Sequence, residues 1–285
     1  MSRPRYIPNA LMLLALVCAL ATVCAHATGL TSSSLLDSGY RDMYNLQFGQ
    51  AHQAFAAWEH EHPQDPLGPA SDAAAYLFSE FNRLHVLEFE FFTNDNNLAN
   101  QPRLSPDPVV RQAFEGQLAK TQQLADAALQ RNPHDANALF AKALRLGLRG
   151  DYTALIEKRY LAGLGYMKQG RVVAEQLLAR EPDYYDAYLA IGVENYLLSQ
   201  KPAPVRWLLR LGGAETDKAG GLQKLQVVAD KGHYLLPYAR LLLAVAALRE
   251  NHRDQARALL QGLAQEFPSN HLYTRELAQL EKPPR

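Results

Sequence analysis

The chain has 285 residues, of which 48% are hydrophobic and 20% charged, and its 29 basic residues balance its 29 acidic ones. A composition of this kind belongs to an ordered protein with a buried core and excludes a disordered chain. No block of Lys and Arg provides the positive surface that nucleic acid needs, so we predict no nucleic-acid partner.

The first 27 residues differ in character from the rest of the chain. Arg3 and Arg5 precede an apolar run over residues 10–23, and an Ala-His-Ala sequence that ends at Ala27 follows it. This order is typical of a secretory signal peptide cleaved after Ala27. The uncharged run is short for a helix that spans a membrane. We therefore predict a signal peptide over residues 1–27.

Both cysteines, Cys18 and Cys24, lie inside that signal segment, so the mature domain over residues 28–285 would have no disulfide. A lipoprotein signal has a small residue before its lipidated Cys, whereas each of these follows a Val. Soluble export is therefore favoured over lipid anchoring. We expect a periplasmic or secreted protein with no transmembrane segment after cleavage.

From residue 35 onward, apolar residues recur at helical spacing, and no useful stretch has the alternation of a strand. A first helix pair is expected over residues 35–63. Ser71 is placed to cap a helix over residues 72–92. The polar, Asn-rich residues 93–105 indicate a loop, and Ser105-Pro106 then provides a cap and a first-turn Pro for the next helix.

Two later segments share one pattern. NPHDANALFAKALRLGLRGDY has Pro133 at its start, small and apolar residues such as Ala143 at helical spacing, and Gly150-Asp151-Tyr152 at its end. EPDYYDAYLAIGVENY has Pro182 and then Gly192 in the corresponding order. These residues resemble the tetratricopeptide repeat, a helix pair with small residues at its close contacts, a Gly-Asp-Tyr-like turn and a closing Pro. The resemblance implies that Asp151 caps the helix after the turn.

The resemblance implies an all-α fold, a right-handed superhelical array of about five such helix pairs. The intervals between the closing prolines exceed whole repeats, so we expect inserted helices near residues 156–170 and 203–213. A last pair is expected over residues 235–267. A C-terminal capping helix should follow over residues 270–280.

In proteins of this repeat family, the first helix of each pair lines a concave face that contacts the partner. Members that clamp acidic chaperone tails have Lys, Arg and Asn there, whereas most of the matching residues here are apolar or aromatic. The residues that the resemblance implies for partner binding are Asn137, Phe140, Leu144, Asp186, Leu189, Val193, Tyr196, Tyr238, Leu241, Val245 and Arg249. Packing against the inserted helices is the alternative explanation for these apolar positions.

Patterns for catalysis or metal binding are weak. His60 and His62 are two residues apart, which on a helix points their rings in different directions, and His52 does not complete a ligand set. Glu88 and Glu90 are also two residues apart, so on a helix their carboxylates would point in different directions. We predict no catalytic residue, no metal site and no cofactor.

The expected function is that of an exported, non-catalytic scaffold that binds a protein segment on its concave face, within the periplasm or cell envelope. An alternative is a carrier of a small apolar or lipid-like ligand in the same groove, with residues 93–105 as a lid. A third hypothesis is a hydrolase or metal enzyme built around His52, His60 and His62.

Overall fold

A computed structural model describes residues 34–87, 104–199 and 217–281, and the described residues from 35 onward belong to one compact unit. These described residues form eleven α-helices and no strand, so the all-α prediction is confirmed for them. The helices are α1 Leu35–Tyr44, α2 Phe48–Glu61, α3 Leu67–Arg83, α4 Pro108–Arg131, α5 Ala136–Asp151, α6 Tyr160–Leu178, α7 Tyr188–Ser199, α8 Lys218–Lys231, α9 Leu236–Arg249, α10 Arg253–Glu266 and α11 His271–Leu280.

Adjacent helices pack against each other in pairs along the chain, among them α1 with α2, α5 with α6, α7 with α8 and α9 with α10. The pairs predicted over residues 35–63 and 235–267 are therefore confirmed. The predicted capping helix is α11, and it packs on α10. The Asn270 side chain caps it by accepting from the Leu272 amide at 3.0 Å.

Two predicted helix starts are wrong: α3 begins earlier than predicted, and α4 begins two residues later. Ser71 does not cap α3, because the helix begins at Leu67 and Ser71 is buried inside it, where its Oγ donates to the Tyr40 hydroxyl at 3.0 Å. The cap of α4 is Asp107 instead of Ser105, with a carboxylate oxygen 2.8 Å from the Val109 amide. At the start of α3, the Leu67 amide instead donates to the Asp65 carboxylate at 2.9 Å.

The turn predicted at Gly150-Asp151-Tyr152 is also wrong. Helix α5 continues through Asp151 into a π-helical turn over Tyr152–Ile156, and the Asp151 side chain caps nothing. The chain turns at Lys158, whose φ is 57°. Gly150 serves a close helix contact, since a Cβ there would lie 3.3 Å from the Gly163 carbonyl oxygen.

Glycine also sets the contact between α7 and α8. A Cβ on Gly192 would lie 3.0 Å from the Leu225 side chain, and one on Gly221 would lie 2.7 Å from the Tyr196 backbone nitrogen. The close approach predicted for Gly192 is confirmed. These two small residues let the helix backbones meet where larger side chains would hold them apart.

Helix α1 reaches residues that lie about two hundred positions later in the chain. The Tyr44 hydroxyl donates to the Tyr234 carbonyl at 3.0 Å, and the Asn270 side-chain amide donates to the Tyr44 carbonyl at 2.8 Å. The Tyr40 ring stacks on the Tyr234 ring with 4.7 Å between centroids. These contacts extend beyond neighbouring helix pairs and bring the first helix against the start of α9 and the start of α11.

Several predictions fall outside the described residues. They concern the signal peptide over residues 1–27, Glu88 and Glu90, most of the 93–105 loop, and the insertion at 203–213. The insertion at 156–170 forms the last part of the π-helical turn and the first part of α6. Within the described ranges, no helix has both the length and the apolar character required to cross a membrane.

Candidate functional site

A mainly apolar pocket lies among α1, α3, α5, α6, α7 and the start of α9. Its cavity volume is about 90 Å³, and the space free of protein atoms is about 840 Å³ when solvent at the mouth is included. Most of the lining consists of Ala, Leu, Val, Met and Gly together with five aromatic rings. The lining also includes two carboxyl groups, those of Asp151 and Asp186.

Helix α5 provides one continuous face of this pocket. Phe140, Ala143, Leu144, Gly147 and Asp151 all line it, at steps of three, four, seven and eleven residues from the first. Such steps fall on one side of an α-helix. The spacing that buries a helix face therefore also brings a carboxyl to the end of an apolar wall.

Small residues leave the space that the pocket occupies. Gly147 lines the pocket from α5, and a Cβ built on it meets no heavy atom within 4 Å. Ala74 of α3 and Gly170 of α6 line other sides. A larger side chain at Gly147 would extend into the pocket without displacing the backbone.

Aromatic rings from three helices form another side. The Phe78 ring lies edge-on to Tyr44, with centroids 6.3 Å apart, and to Tyr238, with centroids 5.4 Å apart. Tyr40 adjoins Tyr44 at 6.4 Å. Burial raises the pKa of the Tyr44 and Tyr238 hydroxyls well above the usual value, so both stay neutral.

The carboxylate of Asp186 is fully engaged within the protein. It accepts from the backbone amides of His233, Tyr234 and Leu235 at 2.9, 3.0 and 3.1 Å. Burial raises the pKa of Asp186, while these amides act in the opposite direction. Its main role is to hold the turn before α7 against the start of α9.

Asp151 is in a different situation. Among the described residues, no donor makes a hydrogen bond to its carboxyl, and no Lys, Arg or His lines the pocket beside it. Burial alone raises the pKa of Asp151 to about 7. Near neutral pH the carboxyl is therefore partly ionised and available to a ligand.

The pocket contains six of the eleven residues predicted for partner binding. These are Phe140, Leu144, Asp186, Leu189, Val193 and Tyr238. The structure thus collects residues from α5, α7 and α9 at one place, while partner binding by them stays a prediction.

The other five predicted residues lie elsewhere. The Asn137 side chain donates to the Asp65 carboxylate at 2.5 Å, and Tyr196 and Val245 are buried in helix contacts. Leu241 lines a smaller, separate cavity. Arg249 ends α9 and is half-buried.

The described histidines lie apart from one another or at helix contacts. His60 and His62 are exposed at the end of α2, and His62 packs on the Trp58 ring. His52 Nδ1 lies 2.5 Å from an Asp72 carboxylate oxygen, at the α2–α3 contact. In the parts of the chain that the structure describes, no three His, Cys, Asp or Glu side chains are grouped as metal ligands.

Sequence reasoning missed the part of the lining that comes from other helices. Tyr40, Tyr44 and Phe78 belong to α1 and α3, and Met167 belongs to α6. Sequence analysis also missed Asp151 of α5 as a pocket residue. That residue could have been found, because it continues the helical spacing of Phe140 and Leu144. The Gly-Asp-Tyr sequence suggested a turn there instead.

No protein-family model matches the chain, and comparisons with curated proteins and with solved structures give no match either. Function is therefore inferred from the chemistry of the pocket.

Proposed function

We propose that this chain is a non-catalytic binding protein that holds a small, mainly apolar ligand in the pocket among α1, α3, α5, α6, α7 and α9. The observation that carries the proposal is the size and lining of this pocket. Its cavity volume of about 90 Å³ exceeds the roughly 10–15 Å³ that one water molecule needs, so the pocket has room for a small ligand. A few polar groups in an apolar wall are typical of small-molecule sites.

The proposal includes the tetratricopeptide-like architecture and the export of the protein. Packed helix pairs support a right-handed superhelical array of repeats, and the contacts of α1 with Tyr234 and Asn270 would close its inner wall into a pocket. The pattern of residues 1–27 supports export to the periplasm or secretion from the cell.

A binding role is favoured over catalysis by the chemistry of the described lining. It offers the free carboxyl of Asp151 but no Ser, Thr, Cys, His or Lys that could act as a nucleophile beside it. Acyl transfer through a hydroxyl or thiol needs that nucleophile and a base within reach of each other. One carboxyl in an apolar wall instead suits recognition of a ligand.

A scaffold that binds a protein segment is the second candidate. Leu144, Leu189 and Val193 line the pocket and keep part of their surface accessible, so an apolar side chain of a partner could enter there. The two candidates predict different purified proteins. A ligand-binding protein should retain a bound small molecule, whereas a scaffold should have none.

The test is native mass spectrometry of the full chain, purified without detergent from the organism whose genome encodes it. Wild type should carry a stoichiometric small-molecule adduct. Gly147→Leu, whose new side chain enters the pocket, should carry none, while circular dichroism stays unchanged. Gly116→Leu is the matched control, because Gly116 is exposed on α4 and also has no neighbour within 4 Å of an added Cβ.

The same adduct on Gly147→Leu as on wild type would contradict a ligand in this pocket. Wild-type protein that is repeatedly empty would favour the scaffold.

A further inference from the structure

We infer that the ligand of this pocket is an organic ammonium ion with small apolar substituents, with the Asp151 carboxylate as its counter-ion and the surrounding aromatic rings against its substituents. This inference rests on the proposed function and specifies the ligand class for the same site. It follows from the charges of the lining, from its aromatic rings and from the backbone that positions Asp151.

The described part of the lining has no positive charge to match its negative ones. The three amides bound to Asp186 satisfy that carboxylate, whereas Asp151 has no donor among the described residues. An ionised carboxyl in an apolar environment is unfavourable unless a cation or donors compensate it. A ligand with one positive charge would supply the counter-ion for Asp151 that the described lining does not contain.

The aromatic side of the pocket suits a cation whose charge is covered by methyl or methylene groups. Five aromatic residues belong to the described lining: Tyr40, Tyr44, Phe78, Phe140 and Tyr238. The negative faces of such rings attract ammonium groups, and quaternary ammonium ions are the ligands that aromatic cages most often bind. A hard metal ion would gain nothing from these rings or from the apolar residues between them.

The backbone holds Asp151 at the pocket. Because α5 continues into the π-helical turn over Tyr152–Ile156, Asp151 stays helical and its side chain continues the face of Phe140 and Leu144. Single π-helical turns occur frequently at functional sites. In the turn predicted from the sequence, the same carboxyl would have capped backbone amides.

The ionisable groups that face Asp151 across the pocket are Tyr40 and Tyr44 from α1, Asp186 from the turn before α7, and Tyr238 from α9. The lining from α3, α6 and α7 has no ionisable side chain. On the opposite side of α5, Arg149 pairs with Glu115 of α4. The tyrosine hydroxyls stay neutral, since burial raises the pKa of each. Asp151 is thus the group whose titration should govern binding of a cation.

Burial raises the pKa of Asp151 to about 7 in the free pocket, and an ammonium ion binds the ionised carboxyl. Affinity should therefore be constant well above pH 7. Below pH 7 it should fall by up to about tenfold per pH unit, because the ligand then competes with a proton.

Isothermal titration of the full chain at pH 8 tests the inference with choline and with 3,3-dimethylbutan-1-ol, its neutral isostere in which carbon replaces nitrogen. Choline should bind at least about tenfold more tightly than the isostere. Asp151→Asn should remove that preference and leave the isostere's affinity unchanged. Asp254→Asn, which changes a carboxylate that is 96% exposed on α10, should behave as wild type.

Equal affinities for the two probes, or a choline affinity that Asp151→Asn does not lower, would overturn the inference. So would an affinity of wild type for choline that is the same at pH 5 as at pH 8, a measurement that needs no variant. None of these outcomes contradicts the proposed function, because the comparison of Gly147→Leu with wild type tests that function separately. Binding of neither probe would also overturn the ammonium assignment and leave that comparison standing.

Discussion

The carboxyl of Asp151 lies in surroundings that disfavour its charge. It ends α5, lines an apolar pocket and has no donor among the described residues, and burial raises its pKa to about 7. In the unfolded chain the same group titrates near 3.8. Between these two values the folded protein binds more protons than the unfolded one, so the free energy of unfolding should fall as pH rises through that range.

We predict that Asp151→Asn makes the protein more stable than wild type at pH 8, because Asn cannot be charged. The advantage should grow by about 2–3 kcal/mol between pH 5 and pH 8. Urea unfolding at the two pH values measures it. Asp254→Asn, on the surface, is the control and should show no such growth. A constant difference between Asp151→Asn and wild type would mean that the carboxyl is not held in an apolar environment.

At the residue scale, sequence reasoning located part of the pocket and misjudged its polar groups. Phe140, Leu144 and Leu189 were predicted for the inner wall because the repeat pattern fixes which side of a helix faces inward. Asp186 was predicted as a partner contact, yet its carboxylate binds amides 47 to 49 residues later in the chain. A partner at that distance leaves no local pattern in the sequence.

The pair α1–α2, the pair α9–α10 and helix α11 were predicted close to their observed bounds, because hydrophobic periodicity and closing prolines are strong local signals. The exceptions have local causes. Ser71 was predicted to cap α3, but the helix begins at Leu67 and includes Pro69 in its first turn, where Pro is tolerated. Gly150 suggested a turn but permits a close contact with α6.

The contact between α7 and α8 depends on Gly221, and we predict that Gly221→Ala destabilises the protein by about 1–3 kcal/mol. The added Cβ would lie 2.7 Å from the Tyr196 backbone nitrogen, so the helices would have to move apart. Gly262→Ala on α10 is the control, because its Cβ would meet nothing within 4 Å. That substitution should stabilise by about 0.5–1 kcal/mol through helix propensity.

Urea unfolding of both alanine variants distinguishes the two effects. Similar small gains for Gly221→Ala and Gly262→Ala would show that α7 and α8 do not need a glycine to pack.

At the scale of the whole molecule, the pocket exists because helices distant in the chain meet. Tyr44 of α1 binds Tyr234 and Asn270, and Tyr40 and Tyr44 then stand opposite the pocket face of α5. In a linear repeat array each unit contacts only its neighbours. The sequence predicted the helix pairs but not this closure, since the hydrogen bonds that make it join residues about two hundred positions apart.

Fluorescence titration with N-phenyl-1-naphthylamine, a neutral apolar probe, tests most directly whether this pocket binds ligands. Wild type and Gly116→Leu should bind it saturably at one site, and Gly147→Leu should bind it at least about tenfold more weakly, because the leucine side chain takes up space in the pocket. Equal affinity in all three proteins, or no saturable binding by wild type, would contradict a ligand site in this pocket.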